Sequence, residues 1–252
     1  MNFGLKNRVA LVTGASKNIG RAISFSLAKE GARVILVSRS EEGIRDTLSE
    51  IPGGADRHLG IALDLELEGS QLLLKESLTG DFLNPEIVVH NLGGSLGVTD
   101  AFAAVTEWAK VWHFNLGIAH ELNRLFIPAM LRSKWGRILH LSTLSTYTFN
   151  GYAPYISAKC ALDGYVKTIS RETSQHNVLI NALAPGVIDI EGRYFSRLKK
   201  ENTLSLEHYL ANHLPMRRLG TVGEIAAVAT FLCSDMASYM AGSVVRADGG
   251  GC

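Results

Sequence analysis

The amino-acid sequence predicts an α/β fold, a doubly wound parallel sheet of about seven strands with helices on both faces. Three features support this prediction. Short apolar runs rich in β-branched residues alternate with longer amphipathic segments from end to end, which is the pattern of repeated strand–helix units. A turn of small residues follows the first run. No low-complexity tract, proline-rich linker or fixed-period repeat marks a domain boundary.

Six apolar runs predict the strands. Each is short and consists mainly of apolar residues, without the alternation that marks a strand with one wet face. Parallel strands covered by helices on both faces have this composition. The runs are residues 9–12, 34–37, 87–89, 138–141, 178–183 and 244–245.

Four segments between the runs carry the period of amphipathic helices: residues 19–30, 107–132, 155–174 and 223–233. Residues 189–214 interrupt the alternation with a long stretch of mixed charge and several aromatic residues. We expect this stretch to be a lid over a substrate pocket. Since 46% of the 252 residues are hydrophobic, residues 1–252 are expected to form one domain with one sizeable core.

The composition argues against several partners and compartments. Lys and Arg number 25 against 24 Asp and Glu, so no global field attracts nucleic acid or an anionic membrane. The start is polar and no apolar stretch reaches membrane-spanning length, so we expect a cytoplasmic protein. Cys160, Cys233 and Cys252 are odd in number and widely spaced, which predicts reduced thiols and neither disulfides nor a metal site.

The small-residue turn at residues 13–20 predicts a dinucleotide site. It opens a predicted helix after a predicted strand, and a second strand ends about twenty residues later, as in a Rossmann unit. Backbone N–H groups and the helix dipole hold a pyrophosphate at such a turn. A helix cap with glycines for tight packing explains each glycine separately but not their joint placement. The residues expected to bind are Gly14, Ser16, Lys17, Asn18, Ile19 and Gly20.

The residues after the second predicted strand indicate which dinucleotide binds. An acidic residue there would bind the ribose 2′-hydroxyl of NAD, whereas an arginine accommodates the 2′-phosphate of NADP. Ser38 and Arg39 occupy this place, and Lys17 offers a second positive charge. NADP(H) is therefore favoured over NAD(H), with ordinary solvated surface charges as the alternative interpretation.

Tyr155 and Lys159 lie four residues apart in a predicted helix, so both side chains share one face. A fixed cation near a phenol favours its charged form and lowers its pKa, which makes a tunable proton donor. Alone, this spacing is weak evidence, because such pairs are common on exposed helix faces.

In this order, the strand, glycine turn, second-strand arginine and Tyr-x-x-x-Lys resemble the short-chain dehydrogenase/reductase family over essentially the whole chain. Within the family, the sequence is most similar to the 3-oxoacyl-(acyl carrier protein) reductase-like group. The resemblance implies one Rossmann-type NAD(P)-binding domain and an enzyme that oxidises or forms CH–OH groups.

The resemblance also implies a catalytic tetrad. Ser142 lies thirteen residues before Tyr155, as the family's catalytic serine does, and Asn115 matches the catalytic asparagine of the central helix. In the family, the tyrosine exchanges a proton with the substrate oxygen, and the lysine lowers the phenol pKa and binds the nicotinamide ribose. The serine polarises the carbonyl, and the asparagine holds a water that links the lysine to solvent.

Further cofactor contacts follow from the same resemblance. They are Asp64 and Leu65 at the adenine, Asn91 and Gly93 beside the adenosine ribose, Tyr155 and Lys159 at the nicotinamide ribose, and Pro185, Gly186 and Ile188 near the nicotinamide. Two residues depart from the family pattern. Asn18 replaces the middle glycine of the phosphate loop, and Ile190 replaces a threonine that binds the carboxamide.

The substrate and partners are less defined. Candidate substrate contacts are Ser95, Tyr147, Tyr152 and Phe195. The related reductases dock an acidic carrier protein through basic residues, a role that Arg132 and Lys134 fit, whereas a second expected arginine is replaced by His176. An acyl carrier protein therefore stays open as a partner. C-terminal matches imply a homodimer or homotetramer.

Together, the residues and the resemblance predict an NADP(H)-dependent oxidoreductase with Tyr155 as general acid/base. It would transfer a hydride between nicotinamide and a carbonyl or secondary alcohol. Two alternatives stay open: an NAD-dependent dehydrogenase of a sugar or other secondary alcohol, and a non-catalytic NADP(H)-sensing or scaffold protein.

Overall fold

Seven strands form one parallel sheet in the computed structural model, which describes residues 2–251. The predicted fold class is confirmed. Neighbouring strands pair in the order β3-β2-β1-β4-β5-β6-β7. The strands are β1 (Val9–Thr13), β2 (Arg33–Ser38), β3 (Leu59–Ala62), β4 (Ile87–His90), β5 (Gly136–Leu141), β6 (Val178–Pro185) and β7 (Val244–Ala247).

Helices connect the strands. They are α1 (Asn18–Lys29), α2 (Glu41–Glu50), α3 (Gly54–Arg57), α4 (Ser70–Ser77), α5 (Val105–Trp112), α6 (Ile118–Ser133), α7 (Ser145–Thr148), α8 (Ala153–Thr173), α9 (Tyr194–Glu201), α10 (Thr203–His213) and α11 (Val222–Leu232). Within residues 2–251, no helix combines the length and apolarity that a membrane crossing requires.

Both faces of the sheet are buried, which explains why most strands are continuous apolar runs. Ala10 and Val12 of β1 pack toward α1, α2 and α11 on one face. Leu11 packs toward α4, α6 and α8 on the other. The two helix layers therefore enclose the sheet between them.

The apolar runs did not mark β3. This strand is short, lies at the sheet edge and has residues that are half-buried or exposed. Its Gly60 allows α2 to approach, because a Cβ there would lie 2.4 Å from Ile44 Cγ2. An edge strand with a glycine for close packing lacks the apolar signature of a central strand.

One helix differs in detail from the sequence-based expectation. The helix predicted at residues 107–132 is divided into α5 and α6 by a π-helical turn, His113–Gly117. Residues 189–214 contain α9 and α10, and their role as a lid stays a prediction. Cys233 is buried and Cys160 half-buried as free thiols, while Cys252 lies outside the described residues.

The strand order creates a crevice. β1 lies between β2 and β4, so the connections from the sheet centre run in opposite directions. Ligands of doubly wound sheets bind at such a switch point, beyond the carboxyl ends of the strands. The loops after β1 and β4 border this crevice.

Candidate active site

The turn between β1 and α1 has the shape of a phosphate cradle. Gly14 has a φ of +65°, and Asn18 has a φ of 52° in the left-handed region. Asparagine tolerates this conformation better than most residues, which explains how Asn18 replaces the family's glycine. Within residues 2–251, no side chain caps the start of α1 and its first turn holds no acid. Its N–H groups therefore fit an anion.

Asn91 locks this turn from the neighbouring strand end. Its Nδ2 donates to the Thr13 carbonyl at 3.1 Å, and its backbone N–H donates to Thr13 Oγ1 at 3.0 Å. A Cβ at Gly20 would lie 2.3 Å from the Gly14 carbonyl oxygen and 2.6 Å from Asn91 Nδ2. Gly20 is thus required by close packing, and Asn91 shapes the loop itself.

A cavity of about 280 Å³ opens beside this turn. Its lining brings together seven of the predicted cofactor residues: Gly14, Ser16, Lys17, Ser38, Arg39, Asp64 and Leu65. Ser16 Oγ and Ser38 Oγ are 2.7 Å apart and share a hydrogen bond. The cavity lies at the carboxyl ends of β1, β2 and β3, so it fits the adenosine half of a dinucleotide.

The charge balance of this cavity differs from the sequence-based expectation. Arg39 Nη1 lies 3.1 Å from Glu66 Oε1 and 3.8 Å from Asp64 Oδ2. Sequence reasoning missed Glu66, which lines the same cavity. No motif marks it; the fold brings it to Arg39 because β2 and β3 are neighbours.

The predicted catalytic residues meet at the carboxyl ends of β4 and β5. Lys159 is buried in α8, and its Nζ donates to the Leu141 carbonyl at 2.6 Å. Its Nζ lies 6.0 Å from the centroid of the Tyr155 ring. A Cβ at Gly93 would lie 2.7 Å from Lys159 Nζ and 2.8 Å from Asn115 Oδ1. The glycine thus lets the lysine and the asparagine converge.

Asn115 sits in the π-helical turn and is fully engaged with backbone. Its Oδ1 accepts from the Gly94 N–H at 3.0 Å. Its Nδ2 donates to the carbonyls of Gly94 and Val111, each at 2.8 Å. The side chain therefore fixes the loop after β4 against the helix, and π-turns of this kind often occur at functional sites.

Asp163 is a site residue that sequence reasoning missed. It continues the Tyr155–Lys159 stripe by one further turn of α8, so helical spacing alone carried a signal. Burial raises the pKa of the Asp163 carboxyl, and the nearby hydroxyls of Ser142 and Thr146 oppose this rise. Among the described residues, Ser142 Oγ and Asp163 Oδ1 are nonetheless buried without a partner at hydrogen-bond geometry.

Burial shifts the two central ionisable groups in opposite directions. It lowers the pKa of Lys159 to about 8, against the opposing charge of Asp163. Burial raises the pKa of the Tyr155 phenol, and the charge of Asp163 adds to this rise. A hydrogen bond with Thr143, a residue that the sequence analysis missed, opposes it. The expectation of a lowered phenol pKa is therefore not met within the chain, because desolvation of the phenolate outweighs the favourable contacts.

The turn after β6 packs against the C-terminal segment. A Cβ at Gly186 would lie 2.5 Å from Asp248 Cα, and the Gly186 N–H donates to the Ala247 carbonyl at 3.0 Å. The Pro185 carbonyl accepts from the Leu144 N–H at 3.0 Å. Gly186 and Ile188 line a second cavity, of about 190 Å³.

The two departures from the family pattern, Asn18 and Ile190, lie at the same cavity. Both line a third cavity of about 320 Å³, between the phosphate turn and the start of the 189–214 segment. The segment after β6 thus borders the phosphate turn across this cavity, and it does not line the adenosine cavity.

None of the four candidate substrate residues lines any of the three cavities described above. Tyr147 donates its hydroxyl to the Val244 carbonyl at 3.3 Å, toward β7. Tyr152 is half-exposed at the start of α8. Phe195 packs against Tyr194 and Tyr209, at ring-centroid distances of 5.0 and 4.7 Å. Their role, like that of Ser95 in the loop after β4, stays a prediction.

Comparison with known proteins shows the same relationship over nearly the whole chain. The family model described as enoyl-(acyl carrier protein) reductase matches residues 14–251. The 3-oxoacyl-[acyl-carrier-protein] reductase of Pseudomonas aeruginosa is 32% identical over 249 residues, 98% of each chain.

Solved structures share the fold. L-sorbose reductase of Gluconobacter frateurii, complexed with NADPH and L-sorbose, is 29% identical with a TM-score of 0.91 and covers 100% of this chain and 98% of its own. A 3-oxoacyl (acyl-carrier-protein) reductase of Agrobacterium tumefaciens with NADP bound is 28% identical with a TM-score of 0.90, covering 99% and 96%. Since a family model and a relative above 30% identity both extend over nearly the full length, the chain belongs to the short-chain dehydrogenase/reductase family of oxidoreductases.

Proposed function

We propose that this chain is an NADP(H)-dependent oxidoreductase that interconverts a carbonyl and a secondary alcohol, with Tyr155 as general acid/base. The observation that carries the proposal is the convergence of Lys159 and Asn115 on Gly93, with Tyr155 one helical turn before the lysine. A buried lysine anchored 2.6 Å from the Leu141 carbonyl is a fixed cation, unlike a solvated surface lysine.

The cofactor would lie across the switch-point crevice. The start of α1 fits its pyrophosphate, and the cavity at Ser16 and Arg39 fits its adenosine half. Lys159, which packs against Gly93, would bind the nicotinamide ribose. When bound, the nicotinamide supplies or accepts the hydride.

The chain's own residues handle the proton and the substrate oxygen. Tyr155, whose raised pKa keeps the phenol protonated near neutral pH, donates to the oxygen that forms during reduction. The buried Ser142 hydroxyl lies near the Asp163 carboxyl and makes no hydrogen bond of good geometry within the described residues, so it can turn to bind the same oxygen. Lys159 holds the charge beside the phenol, and Asn115 fixes the loop that shapes the site.

The preference for NADP(H) is supported by Arg39 and Lys17 at the adenosine cavity. Two of the solved relatives carry NADPH or NADP. An NAD-dependent sugar or secondary-alcohol dehydrogenase is the second candidate, favoured by the carboxylates of Asp64 and Glu66 in the same cavity. Calorimetric titration separates them: we expect NADPH to bind more tightly than NADH, and Arg39→Ala to remove the difference.

The catalytic assignment is tested with Tyr155→Phe. Turnover is followed by NADPH absorbance on β-keto thioesters, keto sugars, cyclic ketones and quinones. We expect the variant to bind NADPH normally and to lose nearly all turnover. Tyr239→Phe is the matched control, since Tyr239 is fully exposed. Retained turnover in Tyr155→Phe would show that another group is the acid.

The substrate panel follows from the relatives, whose names include acyl-carrier-protein reductases and an L-sorbose reductase. Arg132 and Lys134 are exposed at the end of α6 and are available to an acidic carrier protein. Turnover of a β-keto thioester only on acyl carrier protein, reduced by Arg132→Ala, would support that partner; equal turnover of a free thioester would argue against it.

We also propose a cytoplasmic homodimer or homotetramer. Phe102, just before α5, and Val105, its first residue, are 94% and 80% exposed, and Trp112 at the end of α5 is 46% exposed. Exposed apolar side chains at this density are typical of an interface. Light scattering after gel filtration measures the assembly, and a monomer at micromolar concentration would contradict this proposal.

A further inference from the structure

Arg39, the residue on which the NADP(H) preference rests, is engaged by an acid. Its Nη1 lies 3.1 Å from Glu66 Oε1, and the two form a hydrogen-bonded ion pair. The contact with Asp64 Oδ2 is longer, at 3.8 Å. The Arg39 side chain is 68% exposed, whereas that of Glu66 is 30% exposed. The arginine is thus the more exposed partner, and the acid is the more enclosed one.

The backbone of Glu66 is held by the side chain of Asp64. Its backbone N–H donates to Asp64 Oδ1 at 3.0 Å, which closes a tight turn after β3. Glu66 lines the same cavity as Arg39, Ser16 and Ser38. Glu66 therefore borders the space that fits the adenosine ribose, and its ion pair with Arg39 lies at the open side of that space.

We propose that Glu66 is a specificity-determining residue whose carboxylate competes with the 2′-phosphate of NADP(H) for the guanidinium of Arg39. The inference rests on the proposed function, since it needs a dinucleotide in this cavity. The consequence is a smaller preference for NADP(H) over NAD(H). Arg39 must break its ion pair with Glu66 to bind the 2′-phosphate, whereas binding of NAD(H) leaves that ion pair intact.

The chemistry of the two acceptors supports competition. Carboxylate and phosphate both bind the planar fork of an arginine, so one Nη group does not serve both fully. Partly exposed ion pairs are weak, so Glu66 tunes the preference and does not abolish it. Neutralising Glu66 is expected to tighten NADPH binding about twofold to fivefold, the range that such pairs produce, while NADH binding stays unchanged.

The test is a double-mutant cycle on binding, with the full-length protein and no turnover required. Dissociation constants for NADPH and NADH are measured by nucleotide fluorescence in wild type, Glu66→Gln, Arg39→Gln and the double variant. Calorimetry with 2′,5′-ADP against 5′-AMP repeats the measurement on the adenosine end alone. Glu68→Gln is the control, because Glu68 is exposed, lies two residues on and carries the same charge.

We expect Glu66→Gln to gain affinity for NADPH and 2′,5′-ADP only, and the gain to vanish in the Arg39→Gln background. Unchanged or weaker NADPH binding in Glu66→Gln would overturn the inference, because the acid would then merely orient the arginine. Three other results would also overturn the inference: an equal gain in affinity for NADH, an equal gain in Glu68→Gln, or a gain that persists in the Arg39→Gln background. Each would mean that removing any nearby negative charge raises the affinity, without acting through Arg39. The proposed NADP(H) preference is tested separately, because it is wrong if the wild type binds NADH more tightly. The role of Glu66 is tested by how Glu66→Gln changes the ratio of the NADPH and NADH dissociation constants.

Discussion

Mild acid is expected to destabilise this protein through two histidines in its core. His90 ends β4 and His140 lies opposite it on β5, and their rings stack 4.5 Å apart with full burial. His90 Nε2 and Asn123 Oδ1 are 2.8 Å apart, and Asn123 Nδ2 donates to the Tyr165 hydroxyl at 3.0 Å. No carboxylate appears among these contacts, so neither imidazole gains a counter-charge on protonation.

The sign and size follow from linkage. Burial lowers the pKa of His90 from 6.5 to about 4. Between these values the unfolded chain binds a proton that the folded chain does not, so the free energy of unfolding falls as the pH falls through 6.5, until about 4. From about pH 8 to about pH 5, His90 alone accounts for a loss of about 2 kcal/mol. Burial, with the charges of His90 and Lys159, also lowers the pKa of His140 and adds a loss of the same sign.

The assay is urea unfolding at a series of pH values for wild type and His90→Asn. Asparagine keeps a hydrogen-bond donor for Asn123 but does not titrate in this range. The variant is expected to lose about 2 kcal/mol less than wild type between about pH 8 and about pH 5, and the melting temperature of wild type to fall about 4–8 °C more. Comparing slopes removes the contribution of other titrating groups. Parallel curves for the two proteins would refute the reasoning, because they would mean that His90 is protonated equally in the folded and unfolded states.

Three further predictions concern single positions. Gly93→Ala is expected to reduce turnover about a hundredfold with little change in melting temperature, because its Cβ would displace Lys159 Nζ, only 2.7 Å away; near-normal turnover would contradict the packing argument. Asp163→Asn is expected to shift the alkaline limb of the turnover–pH profile to lower pH, because the Asp163 charge raises the pKa of Lys159, whose deprotonation sets that limb. An unmoved limb would mean that the two groups are not coupled. Arg137→Met is expected to lower the free energy of unfolding in urea by about 3 kcal/mol, because three backbone carbonyls lose their buried donor. The exposed Arg45→Met is its control, and equal effects would argue against the buried network.

Strands buried on both faces could be predicted from sequence because their apolar content depends on both layers of helices. The run at residues 34–37 is an example, since all four residues are buried in β2. β3 escaped because one side is open and Gly60 serves packing with α2. The π-helical turn escaped for a different reason: it places Asn115 against Gly94, a contact with a loop that lies outside the helix.

The candidate site divides in the same way. The phosphate turn and the Tyr155–Lys159 pair are local, so their spacing was visible in the sequence. Glu66 and Thr143 act across the fold, on Arg39 and on Tyr155 respectively, and no local pattern marks them. Charge balance in a cavity is a property of the assembled sheet, which is why the sequence indicated the cations at the adenosine cavity but missed the acid that binds one of them.

Burial also decides how the central pair works. It brings the pKa of Lys159 down to about 8 and moves that of Tyr155 above its ordinary value of 10.0. The ammonium therefore loses its proton at lower pH than the phenol, so Lys159 alone does not hold a phenolate at neutral pH. A phenol that stays protonated is suited to donate a proton, which is the need of carbonyl reduction. Alcohol oxidation needs the phenolate instead, and on the proposed function the added positive charge that favours it belongs to oxidised nicotinamide and not to the chain. On the proposed function, the protonation state of Tyr155 would therefore follow the redox state of the bound nucleotide.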